Sequence, residues 1–133
     1  MYLIDTNIFL EILLEQDKCE ECEALLSKIS QSSELFYISS FTLHSIEVIM
    51  IRNERIDELT EFLSDVLASR IIRIDTNTNE ELNILKIMKK LKLDFDDSIQ
   101  FYICQKNDFQ IISYDKHFDK TPIKRLEPND INL

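Results

Sequence analysis

Leu3-Ile4-Asp5-Thr6-Asn7 opens the chain with a short apolar run that ends on an acid, and Ile111-Ile112-Ser113-Tyr114-Asp115 repeats that order near the other end. An uninterrupted run of this kind, bounded by polar residues, reads as a strand buried on both faces. Extended outward, the two runs become strands at 2–4 and 110–113, and three more stand at 35–39, 71–74 and 123–126. Between them apolar residues recur three and four apart, as in Leu59, Phe62, Leu63 and Val66, which predicts helices over 7–14, 18–30, 41–52, 56–69, 79–91 and 95–107. Strands alternating with helices imply an α/β fold: a central, mostly parallel five-stranded sheet covered on both faces, in three layers α/β/α.

At 133 residues the chain suits a single domain over 1–133, and no linker or low-complexity tract divides it. The zero glycine count excludes the phosphate-cradling loops of Rossmann and P-loop proteins, where glycine lets the backbone approach phosphate. Helices must also end on other residues. A net charge of -10 argues against a simple nucleic-acid-binding module, whose affinity comes from Lys and Arg. It counts less against an enzyme whose acids surround a metal ion, because a bound cation reverses the local sign. Cys19, Cys22 and Cys104 are an odd set that reads as reduced thiols; Cys19-Glu20-Glu21-Cys22 has no second pair, and His44 and His117 do not complete a zinc-finger spacing. No apolar run reaches the roughly 18–20 residues that span a bilayer, and the first residues lack a basic segment followed by an apolar one, so no membrane association and a cytoplasmic location are expected.

In α/β sheets ligands sit outside the carboxyl ends of the strands, and Asp5 and Asp115 both fall there. Taken singly, each is equally explained as the N-cap of the next helix. Glu47 interrupts the apolar run Ile46-Glu47-Val48-Ile49-Met50-Ile51, where a desolvated carboxylate costs several kcal/mol unless it is paired, protonated or bound to metal. A salt bridge to Arg52 or Arg73 is the plain alternative. In Asp94-Phe95-Asp96-Asp97-Ser98, acids in a first helical turn also suit the helix dipole, and Asp94 reads as the N-cap. Periodicity does not choose between Asp96 and Asp97.

Together, two acids at strand ends, one within a helix and one at a helix start resemble, in chain order and surroundings, the PIN-domain family of nucleases, which includes the VapC-type toxins of toxin-antitoxin pairs. The matching pieces are Leu3-Ile4-Asp5-Thr6-Asn7, the helical Glu47, Asp97-Ser98 opening an apolar helix, and Ser113-Tyr114-Asp115. The chain departs from the family pattern in having Ser98 where alanine is usual, and Asn107-Asp108 in place of a glycine before the fourth strand.

The resemblance implies a PIN-like fold whose catalytic and metal-binding acids are Asp5, Glu47, Asp97 and Asp115, with Asn7 and Ser113 orienting carboxylates or water. Crowded carboxylates cannot all stay ionised unaided, so the set asks for Mg2+ or Mn2+, which oxygen ligands suit. The activity it implies is hydrolysis of RNA phosphodiester bonds, with an antitoxin protein and a second copy of the chain as partners. Basic residues available to grip RNA are Lys86, Lys89, Lys90 and Lys92, or Lys116, Lys120, Lys124 and Arg125, all equally explained as solvated surface. Two other classes compete. One is an α/β metal-dependent phosphohydrolase of the haloacid-dehalogenase kind, which wants a second Asp where Asn7 stands. The other is a catalytically idle PIN-like interaction module.

Overall fold

A computed structural model describes residues 1–132. Its strands are β1 (Tyr2–Ile4), β2 (Phe36–Ser39), β3 (Ile72–Ile74), β4 (Gln110–Ile112) and β5 (Arg125–Leu126). The helices are α1 (Thr6–Leu13), α2 (Cys19–Ile29), α3 (Ser40–Arg52), α4 (Ile56–Ala68), α5 (Thr78–Leu91) and α6 (Phe95–Asn107). The strands form one sheet in the order β3-β2-β1-β4-β5, parallel at every pairing among the described residues. The expected three-layer α/β/α arrangement is therefore present.

Alternation along the strands builds the layers, because successive side chains point to opposite faces. Leu3 and Ile111 face one core with Ile84, Ile99, Phe101, Ile103 and Phe118. Their neighbours Ile4 and Ile112 face the other with Ile8, Phe9, Leu25, Phe36, Ile38, Ile46 and Met50. Thus α5 and α6 cover one face, and α1 to α4 the other. The central strands are buried on both sides, which is why they read as continuous apolar runs.

Without glycine, four of the described residues, each with a side chain, take the left-handed backbone: Glu15 (φ 51°), Glu54 (φ 57°), Lys92 (φ 54°) and Asp108 (φ 57°). Each follows a helix, where a left-handed residue lets the chain turn away. The chain order reverses between β1 and β4, which makes that junction the switch point of the sheet.

Candidate active site

Asp5 and Ser113 follow directly on the adjacent ends of β1 and β4, joined by a hydrogen bond from the Asp5 amide to the Ile112 carbonyl (3.0 Å). The Asp5 side chain is the N-cap of α1, accepting from the Thr6 amide at Oδ1 (2.8 Å). Gln100 Nε2, from α6, donates to the same oxygen (3.0 Å). On Oδ2, Ser113 Oγ donates at 2.6 Å and Asn7 Nδ2 at 3.3 Å. Four donors therefore occupy the four lone-pair positions of this carboxylate. Further bonds extend the network: Gln100 to Thr42 Oγ1 (3.0 Å), Ser39 Oγ to Gln100 Oε1 (2.8 Å), Thr6 to Thr42 (2.9 Å between hydroxyls) and Asn7 Nδ2 to Ser113 Oγ (3.1 Å). Burial pushes the Asp5 carboxyl above its ordinary range, against the opposing pull of these donors.

Asp97 and Asp115 meet beside it. Asp97 is on the first turn of α6, which begins after Asp94, and is 8% exposed, whereas Asp96 is exposed at the pocket rim. Asp115 is N-cap of the 3-10 turn Lys116–Lys120 and accepts from the His117 amide (2.9 Å). The His117 ring reaches back, with Nδ1 3.3 Å from Asp97 Oδ2 and 3.1 Å from Asp115 Oδ1. One ligand atom from each of Asp97, Asp115 and His117 lies within 4.8 Å of the others. Burial, then the Asp115 charge, raises the Asp97 carboxyl from 3.8 to about 7.

Asp5, Asp97 and Asp115 line an open pocket of about 580 Å³ with Asn7, Gln100, Asp96 and His44, against an apolar wall of Leu10, Phe41, Val48 and Ile49. Among the described residues neither Lys nor Arg lines it. Crowded carboxylate oxygens, one carboxyl driven toward neutrality by a like charge, and no fixed cation at the wall form a donor set that fits a hard divalent ion.

Glu47 is not brought to this group. It is half-buried, not enclosed, and its Oε1 is 2.9 Å from His44 Nδ1. The cause is helical phase: at roughly 100° per residue, Glu47 sits about 140° around α3 from Thr42, whose face touches the Asp5 network. Ser45, only about 60° from Thr42, lines the pocket instead. Neither Arg52 nor Arg73 pairs with it among the described residues, and Arg73 Nε donates to Ser40 Oγ (2.9 Å). Asn7 and Ser113 both contact Asp5. Gln100, Thr42 and Ser39 are the site residues that the sequence reading did not single out. Of the basic residues considered for RNA, Arg125 is held by Asp119 (2.8 and 3.2 Å) and Glu127 (2.9 Å), and Lys120 Nζ donates to the Lys92 carbonyl (3.1 Å).

Several solved structures share the fold. VapC20 of Mycobacterium tuberculosis, described as a sarcin-ricin loop cleaving toxin, superposes with a TM-score of 0.77 at 11% identity, over 92% of this chain and 96% of its own. A toxin-antitoxin complex from Klebsiella pneumoniae gives 0.72 at 18% identity over 98% and 100%. VapBC2 from Rickettsia felis, bound to a promoter DNA fragment, gives 0.73 at 14% identity over 95% and 97%. No curated protein matches the sequence. The family model described as PIN domain matches residues 2–124, nearly the full length, and the chain therefore belongs to the PIN-domain family.

Proposed function

We propose that this PIN domain is a Mg2+- or Mn2+-dependent endoribonuclease, the toxin of a toxin-antitoxin pair. The observation that carries the reading is the pocket at the switch point, where Asp5, Asp97 and Asp115 converge without a lining Lys or Arg. A polyanion approaching such a pocket is repelled unless a cation intervenes, so the same feature favours metal dependence.

Asp97 and Asp115 would hold the ion, with Asp5 behind them. When bound, a divalent ion supplies charge compensation to the phosphodiester and makes an attacking water easier to deprotonate. The chain's residues do the rest. Gln100, Ser113, Asn7 and the Thr6 amide hold Asp5 in one orientation beside the other two carboxylates. Leu10, Phe41, Val48 and Ile49 exclude water from one side of the pocket and offer an apolar surface to a base. Glu47 acts from outside, fixing His44 at the rim. No protein nucleophile is required, and saturation of both Asp5 oxygens disfavours the phosphohydrolase reading, in which that acid would attack phosphorus.

The toxin reading draws on the neighbours, one of which is a toxin-antitoxin complex and another a toxin by description. An antitoxin or a second copy would cover some of the large apolar side chains that face water, Leu67, Ile56 and Ile51 among them.

The test incubates the purified chain with several RNAs and with p-nitrophenyl phosphate, with Mn2+ or with chelator. RNA cleavage that needs Mn2+ and falls at least about 100-fold in Asp97→Asn and Asp115→Asn is expected. Cleavage that survives chelator and both substitutions, or hydrolysis of the monoester alone, refutes it. Glu47→Gln should change the rate by less than about threefold, since its carboxylate lies outside the pocket.

A further inference from the structure

His117 stands at the edge of the three acids without a part in the reading above, and its placement is firm. Phe118, beside it, is fully buried and anchors the turn. Asp119 grips Arg125 with both oxygens, and the Thr121 amide closes the turn on the Phe118 carbonyl at 3.0 Å. The side chain of His117 is two-thirds exposed, so nothing but its two carboxylate neighbours explains why Nδ1 points inward.

The free valences at the site point the same way. Asp5 has four donors on its oxygens, and no buried side-chain nitrogen or oxygen among the described residues lacks a partner. An ion bound in this pocket would therefore sit toward Asp97 and Asp115, whose oxygens carry fewer bonds. Two carboxylates make an incomplete protein donor set, and the ring nitrogen adjoining both is that of His117. Its distances of 3.1 and 3.3 Å to the carboxylate oxygens match the edge of a coordination sphere, because ligands bound at about 2.0–2.2 Å lie roughly 3.0–3.4 Å apart in octahedral or tetrahedral arrangements.

Given that the acid pocket is an ion centre, we propose that His117 Nδ1 is a direct ligand, so that the site is a mixed Asp97-Asp115-His117 centre selecting Mn2+, Co2+ or Zn2+ over Mg2+. Imidazole nitrogen is a borderline donor that first-row transition ions accept and Mg2+ takes poorly, so replacing one oxygen ligand by nitrogen tilts the preference. In the neutral tautomer required, the proton rides on Nε2, which faces outward.

Pulsed electron paramagnetic resonance of Mn2+ bound to the full chain tests this without RNA. Nitrogen modulation is expected in the wild-type chain, altered when histidine is labelled with 15N, absent in His117→Ala and retained in His44→Ala. His117→Ala and His117→Asn should each weaken Mn2+ binding by about tenfold or more, while Mg2+ binding falls less than about threefold. Mn2+ bound without nitrogen modulation, or with equal affinity in the His117 variants, overturns the ligand role and leaves a metal-dependent nuclease standing. Failure of the wild-type chain to bind Mn2+ at all overturns both.

Discussion

Asp97 is the residue whose ionisation carries the clearest consequence. Its folded-state carboxyl is raised from 3.8 to about 7, so the ion-free fold prefers it protonated. That contribution is full below about pH 4 and is lost as pH rises toward 7. Ion-free protein should therefore weaken between pH 4 and 7, and Asp97→Asn should flatten this slope and stabilise the chain at pH 8 by about 1–3 kcal/mol while abolishing cleavage. Urea unfolding of both proteins at pH 5 and pH 8 measures it; an unchanged pH slope refutes it. Ser113→Ala removes the 2.6 Å bond to buried Asp5 and should cost about 1.5–3 kcal/mol, with a larger loss of activity than its loss of folded fraction explains. Asp5 and Asp115 were legible in the sequence because a strand end at the switch point depends on local pattern alone, and the capping role of each proved to coexist with its place at the site. Glu47 was not, because the run Ile46–Ile51 is apolar on exposed as well as buried sides of α3: Val48 and Ile51 are 46% and 54% exposed, so apolar neighbours did not signify enclosure. Gln100 looks like a surface polar residue in its helix, and only its contact with Asp5, 95 positions away, reveals its role.

The elements themselves were readable from periodicity, since each of the six helices and five strands lies where its apolar spacing placed it. Three strands lose one residue at an end, and the last is shortened most, pairing through Arg125–Leu126 alone. Its position depends on Arg125, which bonds Asp119, Glu127 and the Ser113 carbonyl at 2.8–3.2 Å and so ties the edge strand to the turn that bears Asp115 and His117. Arg125→Ala should lower stability by about 1–3 kcal/mol and weaken Mn2+ binding, readable by thermal melting and by titration; full retention of both would refute this link. Helix ends offer the opposite opportunity. Glu54 is exposed, follows α3 and holds φ at 57°, a conformation costing a residue with a Cβ about 1 kcal/mol more than glycine. Glu54→Gly is expected to raise the melting temperature by a few degrees without touching activity, and a lower melting temperature would count against the strain.

At the scale of the molecule, the proposed ion binding would be one equilibrium with folding, because the unfolded chain has no preformed donor set. Mn2+ at about 100 times its dissociation constant should stabilise the protein by roughly 2.7 kcal/mol, seen as a melting temperature several degrees higher than in chelator, and Asp97→Asn should erase the difference. The acidic balance of -10, read first as evidence against nucleic-acid binding, suits such a centre, since crowded acids gain most from a cation. Asp5 joins β1 to α1 through Thr6 and Asn7, to α6 through Gln100 and to β4 through Ser113, and Thr6 and Gln100 in turn bond Thr42 of α3. So knotted, the floor of the pocket has no independent breathing mode, and its amides should trade deuterium with solvent only when the entire domain opens. An antitoxin of the kind proposed would have nothing to loosen there and is expected to work as a plug over the mouth.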